Sequence, residues 1–265
     1  MDINAEILAF GRELLIGKTV NTNASWIADQ LTSLGITVTR INVAGDTVAD
    51  ISSTIRESLG RRPDVLITTG GLGPTYDDLT VEGLSSALNV PRELNEEALS
   101  LVRARYRALK LEMSPSRRKM AMMPLGAHPI PNDCGSAPGV FLERGGTMIF
   151  SLPGVPREMM VMFRSQVLNL LRRRAPPKTF RERSFTIEGM PESSLAPIIE
   201  EWLPTNRRVY LKSHPSGSES TPTITIHLTA VGGDPEELDL LLLRTEKSFS
   251  RLVLKAGGKV RRRRG

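Results

Sequence analysis

The stretch Thr68-Thr69-Gly70-Gly71-Leu72-Gly73-Pro74-Thr75-Tyr76-Asp77-Asp78-Leu79-Thr80 joins a buried-strand pattern, Val65 to Thr69, to a helix pattern over Leu79 to Leu88. Glycines tolerate positive φ and let the backbone approach an anion closely. The first turn of the next helix presents free N–H groups, which favour phosphate. Asp77 and Asp78 beside such a cradle are placed to hold a divalent metal, which binds through oxygens and bridges to phosphate. Strand, glycine turn, acid pair and helix together point to a phosphate-containing ligand. The alternative is a tight strand-to-helix turn with no ligand, in which Thr75 only caps the turn and one of the aspartates caps the helix.

On both sides of this stretch, strand and helix patterns alternate. Residues 4–11 read as a buried strand and 22–34 as a helix, with Ile27, Leu31 and Leu34 on one face. Gly35 stops that helix. A strand follows over 37–43, a helix over 48–59 and the strand over 65–69. Residues 93–110 read as a charged helix, 139–142 and 147–152 as strands, and 155–171 as a helix. This alternation argues a parallel sheet covered on both faces. Ligands of such sheets bind beyond the carboxyl ends of the strands. The loops after Ala9, Val43 and Thr69 are therefore expected along one edge, contributing Glu13, Asp46 and the Gly70–Asp78 segment. Met120, Met122 and Met123 read as packing residues.

Pro176-Pro177 marks a linker, after which the pattern restarts. Strands are expected over 183–188, 209–212 and 223–230, and helices over 192–202 and 235–254. The expected division is a first domain over 1–174, a small α+β domain over 180–256 and a basic tail over 257–265. The net charge of +6 concentrates in Arg172-Arg173-Arg174 and Arg261 to Arg264. Such runs bind nucleic acid or anionic lipid in some proteins. The plainer reading is a helix end whose cations favour its dipole and a frayed, solvated tail.

Composition sets outer bounds. Hydrophobic residues make up 40% and charged residues 24%, as in globular proteins. No apolar run is long enough to span a bilayer, and the N-terminus lacks a signal-peptide pattern. A single cysteine, Cys134, fits a reducing compartment. The expected location is cytoplasmic, with no membrane partner. An aromatic content of 5% leaves no evident stacking platform for single-stranded nucleic acid.

Seven segments, in order, carry a resemblance over the first 170 or so residues. They are Gly11-Arg12-Glu13-Leu14-Leu15-Ile16-Gly17, Asn21-Thr22-Asn23, Val43-Ala44-Gly45-Asp46 and Thr68 to Thr80. Then come Arg118-Lys119-Met120-Ala121-Met122-Met123-Pro124, Gly135-Ser136-Ala137-Pro138-Gly139, and Leu152-Pro153-Gly154-Val155-Pro156-Arg157-Glu158-Met159. The chain resembles the molybdopterin-binding (MoaB/Mog-like) fold as it occurs in the CinA family, the competence/damage-inducible protein A group. The resemblance implies a Rossmann-like three-layer α/β/α domain with a small C-terminal KH-like α+β domain. It implies hydrolysis of ADP-ribose to AMP and ribose 5-phosphate with a divalent metal such as Mg, in a homo-oligomer. The same fold in molybdenum-cofactor proteins binds or adenylylates molybdopterin, so a pterin nucleotide is the alternative ligand.

By motif register, Asp78 and Asp46 match the acids of the molybdopterin enzymes and are the expected catalytic residues. Asp77 and Asp78 are the expected metal ligands, and the metal would polarise a diphosphate. Asp46, just before a helix, is equally readable as a cap. Glu13 is expected to contact ligand or metal, against a solvated loop acid. Asn21 and Asn23 would hydrogen-bond a base or ribose, unless one of them caps the helix at residue 22. Gly70, Gly71 and Gly73 would turn N–H groups to phosphate, and Thr75 would add a hydroxyl. Lys119, with Arg118, would neutralise phosphate charge. Ser136 borders the pocket on a fixed loop, and Gly154 shapes the start of a helix there.

Two positions depart from the family. Arg12 stands where Thr is usual and Tyr76 where Lys is frequent; Arg12 would add a phosphate contact and Tyr76 would stack on a base. The family's long form adds an amidase-type domain acting on nicotinamide mononucleotide, which finds no counterpart in these 265 residues. The Gly-x-x-Gly loop of RNA-binding KH units is absent over 181–256, so nucleic acid is not an expected partner of that domain.

Overall fold

A computed structural model describes residues 3–174, 178–218 and 221–262. Two compact units divide the chain: Met1–Thr32 with Ile36–Pro176, and Ser33–Gly35 with Pro177–Gly265. Pro176-Pro177, read as a linker, lies outside the described residues.

The first unit is built on a six-stranded sheet. Its strands are β1 (Asn4–Phe10), β2 (Thr37–Ala44), β3 (Val65–Thr69), β6 (His128–Ile130), β7 (Gly139–Arg144) and β8 (Thr147–Leu152), in the order β2-β1-β3-β8-β7-β6. The pairs β1–β2, β1–β3 and β3–β8 are parallel, whereas β7 and β6 add antiparallel. The parallel part is therefore narrower than alternation alone suggests. Gly145 and Gly146, both at positive φ, make the tight turn that returns β7 to β8 as a hairpin.

Pleating sends alternate residues to opposite faces. Leu8, Phe10 and Leu66 enter one core layer with Ile51 and Ile55 of α3 (Val48–Gly60) and Leu84 of α4 (Thr80–Leu88). Ile7, Ala9 and Ile67 point the other way. There, buried Ile27 and Leu31 of α2 (Thr22–Ser33) and Met159 of α7 (Pro156–Met162) lie under cover. Trp26 of α2 meets Phe163 edge-on, with ring centroids 5.4 Å apart. Glu6, 2% exposed on β1, is held bidentate by Arg61 through two 2.7 Å bonds. Burial pushes its pKa up, but the bonds to Arg61 and Ser58 and the charges of Arg61 and Arg40 outweigh that and hold it below the usual carboxylate value.

The middle of this unit departs from the sequence reading. The charged helix over 93–110 is α5 (Glu96–Ala108), preceded by a short strand β4 (Arg92–Leu94) that pairs with β5 (Met122–Pro124). Asn95 caps α5 by accepting from the Ala98 N–H at 2.9 Å, and so fixes where strand gives way to helix. The Pro-, Met- and Arg-rich segment contains α6 (Pro115–Lys119), capped by Ser114. Met120 and Met123 are buried. The helix expected over 155–171 runs as α7, a π-turn at Phe163–Val167, and α8 (Leu168–Arg174). Arg172 to Arg174 close α8, where cations complement its dipole, and Arg174 bonds Glu143 at 3.1 Å.

The second unit is an antiparallel sheet in the order β10-β11-β9-β12. Its strands are β9 (Thr179–Glu188), β10 (Tyr210–Ser218), β11 (Thr221–Gly232) and β12 (Lys259–Arg262). Helices α9 (Glu192–Trp202) and α10 (Pro235–Lys255) supply Leu195, Trp202 and Phe249 to a core with Phe185, Ile187, Ile226 and Leu228. Strand β10 extends well past the expected 209–212. Pro215 interrupts the sequence pattern but is tolerated on an edge strand. The basic tail also needs correction. Gly257, at φ +88°, ends α10, and Lys259–Arg262 then pairs with β9 as an edge strand. Val260 packs on the core and Arg261 bonds Glu188 at 3.2 Å. Arg263 and Arg264 lie outside the described residues.

Candidate functional site

Strands β1, β2 and β3 are parallel, so the loops leaving Phe10, Ala44 and Thr69 emerge at one edge of the sheet. Strand β8 adds a fourth loop there, Pro153-Gly154. From β1 the chain turns outward to β2 and then crosses back to β3, so the crevice between β1 and β3 is a topological switch point. A pocket of about 250 Å³ opens at this crevice. Its lining brings together Glu13, Asn21, Asn23, Asp46, Gly70, Gly71, Asp77, Asp78 and Gly154.

The glycine turn is built by close contacts. Gly70 has φ +106°, and a Cβ there would lie 2.3 Å from the Phe10 carbonyl oxygen. Its N–H donates to the Leu152 carbonyl at 3.0 Å, so it is committed to the sheet rather than free for a phosphate. The Thr80 hydroxyl donates to the Gly70 carbonyl at 2.8 Å, and the Thr80 N–H to the Gly71 carbonyl at 3.1 Å. The N–H groups of Gly71, Leu72 and Gly73 make no hydrogen bond among the described residues. These three are the donors the cradle offers.

Asp77 and Asp78 sit where that turn closes, and neither caps α4, whose N-cap is Leu79. Both carboxylates take the Thr75 hydroxyl, Asp78 at 2.6 Å, and Asp78 also accepts the Thr75 N–H at 2.8 Å. Thr75 thus serves the acid pair and does not line the pocket. Lys119 donates to the Thr75 carbonyl at 2.8 Å; it braces the turn from outside the pocket. The Thr75 hydroxyl, a backbone bond and the Lys119 charge hold the Asp77 pKa below the usual aspartate value against a small opposing desolvation. Asp77 is therefore ionised at neutral pH.

The remaining polar groups divide between support and lining. Asp46 does not cap α3, because Thr47 does so by accepting from the Asp50 N–H at 3.1 Å. Asp46 instead accepts the Arg12 N–H at 3.4 Å and faces the pocket. Asn21 accepts the Ala24 N–H at 3.1 Å, which is the capping alternative. Asn23 is 8% exposed. Its amide donates to Thr69 Oγ1 at 3.0 Å and to the Gly154 carbonyl at 2.9 Å. Thr69 Oγ1 gives its proton to the Pro153 carbonyl at 2.9 Å. That leaves Asn23 Oδ1 buried without a donor. Arg12 and Tyr76 line no cavity of this edge, and Tyr76 is 90% exposed.

A second cavity, about 580 Å³, shares Gly71, Asp78 and Gly154 with the first. Gly73 and Ser136 line it rather than the acidic pocket. Its wall includes a loop organised by Asn132, which the sequence reading passed over. Asn132 Oδ1 accepts the N–H groups of Cys134 and Gly135 at 3.2 and 2.8 Å. Its amide donates to the Ala137 carbonyl and to Glu158 at 2.9 and 2.7 Å. The Pro131-Asn132-Asp133 run is an Asx-turn signal that marks this residue. Arg105, also on this wall, carried no sequence signal, being one of several arginines on a charged helix.

Residues 6–173 match the family described as probable molybdopterin binding domain. The chain belongs to that family. A protein of Pyrobaculum aerophilum is 46% identical over 250 residues, covering 94% of each chain. One of Sulfurisphaera tokodaii is 41% identical over 257 residues, covering 97% of each. The crystal structure of the protein CinA from Thermoplasma acidophilum, described as of unknown function, matches at 37% identity with a TM-score of 0.59. That match covers 63% of this chain and 98% of the other. The molybdopterin-binding domain of this chain is thus CinA-like, and its described glycine turn, acid pair and Ser136 loop are the parts that the fold gathers at the sheet edge. No helix among the described residues is long and apolar enough to cross a membrane.

Proposed function

We propose that the protein hydrolyses a nucleotide diphosphate sugar, ADP-ribose to AMP and ribose 5-phosphate, with a divalent metal. The observation that carries this reading is the charge of the site. Glu13, Asp46, Asp77 and Asp78 line the first pocket, and no Lys or Arg does. A diphosphate alone would be repelled there, whereas a diphosphate with a divalent cation is matched in charge. Asp77 and Asp78 would hold the cation: they share one hydroxyl, which has a single proton for two carboxylates. Among the described residues no group of three or more His, Cys, Asp or Glu side chains is arranged to hold a metal ion by itself. Two carboxylates plus ligand phosphate and water is the habit of Mg²⁺. The cation would supply Lewis-acid polarisation of the phosphoanhydride.

The chain's own groups do the rest. The Gly71 N–H, which lines this pocket without a hydrogen-bond partner among the described residues, would stabilise charge growing on the phosphate oxygens. Asp46, which lines the same pocket, would accept a proton from water. Lys119 and Thr75 keep Asp77 ionised, and Thr75 holds both carboxylates in place. Asp78→Asn is expected to lower metal-dependent hydrolysis of ADP-ribose by about 10²-fold or more, measured as AMP release, with the melting temperature retained. Unchanged hydrolysis would remove Asp78 from the chemistry. The second reading, molybdopterin binding or adenylyl transfer in a cytoplasmic oligomer, is favoured by the family match itself. Tight binding of molybdopterin with no ADP-ribose turnover would select it.

A further inference from the structure

Residues 103–119 carry seven cationic side chains against one acid, Glu112. Arg103 and Arg107 share a face of α5 at i and i+4. Lys110 follows in the turn that closes the helix, its N–H on the Arg107 carbonyl at 3.0 Å. All three side chains are exposed, and none makes a hydrogen bond or ion pair among the described residues. The acids of α5, Glu96 and Glu97, lie in its first turn, at the other end. The fold therefore makes no use of these three charges, and they project a positive field into solvent.

This cationic surface is tied to the acid site at two points. Arg117 of α6 lies over the Tyr106 ring of α5, its guanidinium carbon 4.3 Å from the centroid. Tyr106 in turn lines the cavity that shares Gly71, Asp78 and Gly154 with the acidic pocket. Lys119, at the end of α6, donates to the carbonyl of Thr75, whose hydroxyl both Asp77 and Asp78 accept. Arg103, Arg107 and Lys110 line neither cavity, so they border the site without entering it. A phosphorylated ligand is an anion under either reading of the site. The four carboxylates of the pocket repel it until it meets the metal at close range, so attraction on approach has to come from outside the pocket. Exposed charges can supply it, over about 30 Å at 0.01 M salt and about 8 Å at 0.15 M.

Resting on the hydrolase reading for the identity of the ligand, we infer that Arg103, Arg107 and Lys110 form an electrostatic guide. They draw the free anionic nucleotide towards the acid site and touch no part of it once it is bound. Their contribution is therefore to the rate of association and not to the bound state.

Stopped-flow binding of fluorescent etheno-ADP-ribose to the full-length protein, at one fixed Mg²⁺ concentration, separates the two rates at about 0.01 M and about 0.5 M salt. The triple variant Arg103→Gln, Arg107→Gln, Lys110→Gln is expected to associate about 10-fold more slowly than wild type at the lower salt. At the higher salt it is expected within about twofold of wild type, with dissociation unchanged at both. The control removes the same charge at the opposite end of the sheet. Arg144 pairs there with Thr147, the first residue of β8, and Arg172 and Arg173 close α8, whose Arg174 reaches Glu143. The variant Arg144→Gln, Arg172→Gln, Arg173→Gln is expected to associate within about twofold of wild type at both salts. Equal slowing in the two variants, no slowing in either, slowing that persists at the higher salt, or a change carried by dissociation would overturn the guide and leave the hydrolase reading standing. Wild-type protein that binds no ADP-ribose sinks the hydrolase reading and the guide with it.

Discussion

Replacing Gly70 with alanine separates the structural cost of the cradle from any role in ligand binding. Two terms add. At φ +106° an L side chain is disfavoured by about 1–2 kcal/mol. The new Cβ would also lie 2.3 Å from the Phe10 carbonyl oxygen, a backbone atom of the central strand that cannot swing away. Forcing such an overlap into a packed region costs about 1–3 kcal/mol. The sum is about 2–5 kcal/mol, or roughly 4–20 °C in melting temperature for a unit of this size. Gly17→Ala is the control, because Gly17 has φ +72° and nothing within 4 Å of its would-be Cβ. It carries the first term alone. Each unit has one tryptophan, Trp26 and Trp202, so thermal unfolding followed by Trp26 fluorescence in a Trp202→Phe background reports the first unit. Gly70→Ala is expected to be less stable than Gly17→Ala by at least about 1 kcal/mol. Equal stabilities would refute the argument that contact with β1, and not φ alone, demands glycine at the turn.

Two further outcomes follow from named contacts. Thr47→Ala should cost about 1 kcal/mol by removing the α3 cap while preserving ADP-ribose hydrolysis. Asp46→Ala should cost under about 0.5 kcal/mol and impair hydrolysis; a denaturant midpoint that falls more for Asp46→Ala than for Thr47→Ala would return Asp46 to a capping role. Glu6 has its folded pKa held below the unfolded value, so its stabilisation is present above about pH 4.3 and is lost as pH falls through the folded pKa. Wild type should therefore lose stability faster than Glu6→Gln on acidification from about pH 5 to about pH 3, and parallel urea midpoints over that range would contradict the assignment.

Much of the fold was legible because its signals are local. The apolar runs at residues 4–10 and 65–69 and the helical faces of Ile27–Leu31 and Ile51–Ile55 each name their element. The turn from Gly70 to Asp78 names its own geometry. The antiparallel return of β7 was hidden by the alternation that argued a parallel sheet, although Gly145-Gly146 joins it directly to β8. The short β4–β5 pair and the strand at Lys259–Arg262 were not legible, because each depends on a pairing partner distant in sequence. Val260, for example, reads as part of a basic tail until β9 offers it an edge and a core.

The site shows the same division. Sequence by itself placed Glu13, Asp46 and the Gly70–Asp78 segment along one sheet edge, because parallel strands put their carboxyl-end loops on one side. It also marked the glycine turn as a place where positive φ is tolerated; the structure shows that Gly70 and Gly71 use it. Tertiary structure alone decided what each polar group does there. It gave the α3 cap to Thr47 and so left Asp46 facing the pocket, and it bound the Gly70 N–H to Leu152. It set Lys119 outside the pocket and brought Arg105 and the loop braced by Asn132 to a second cavity. A side chain's role is fixed by whether neighbours satisfy its hydrogen bonds, and those neighbours come from segments as far apart as Asn23, Thr69 and Gly154.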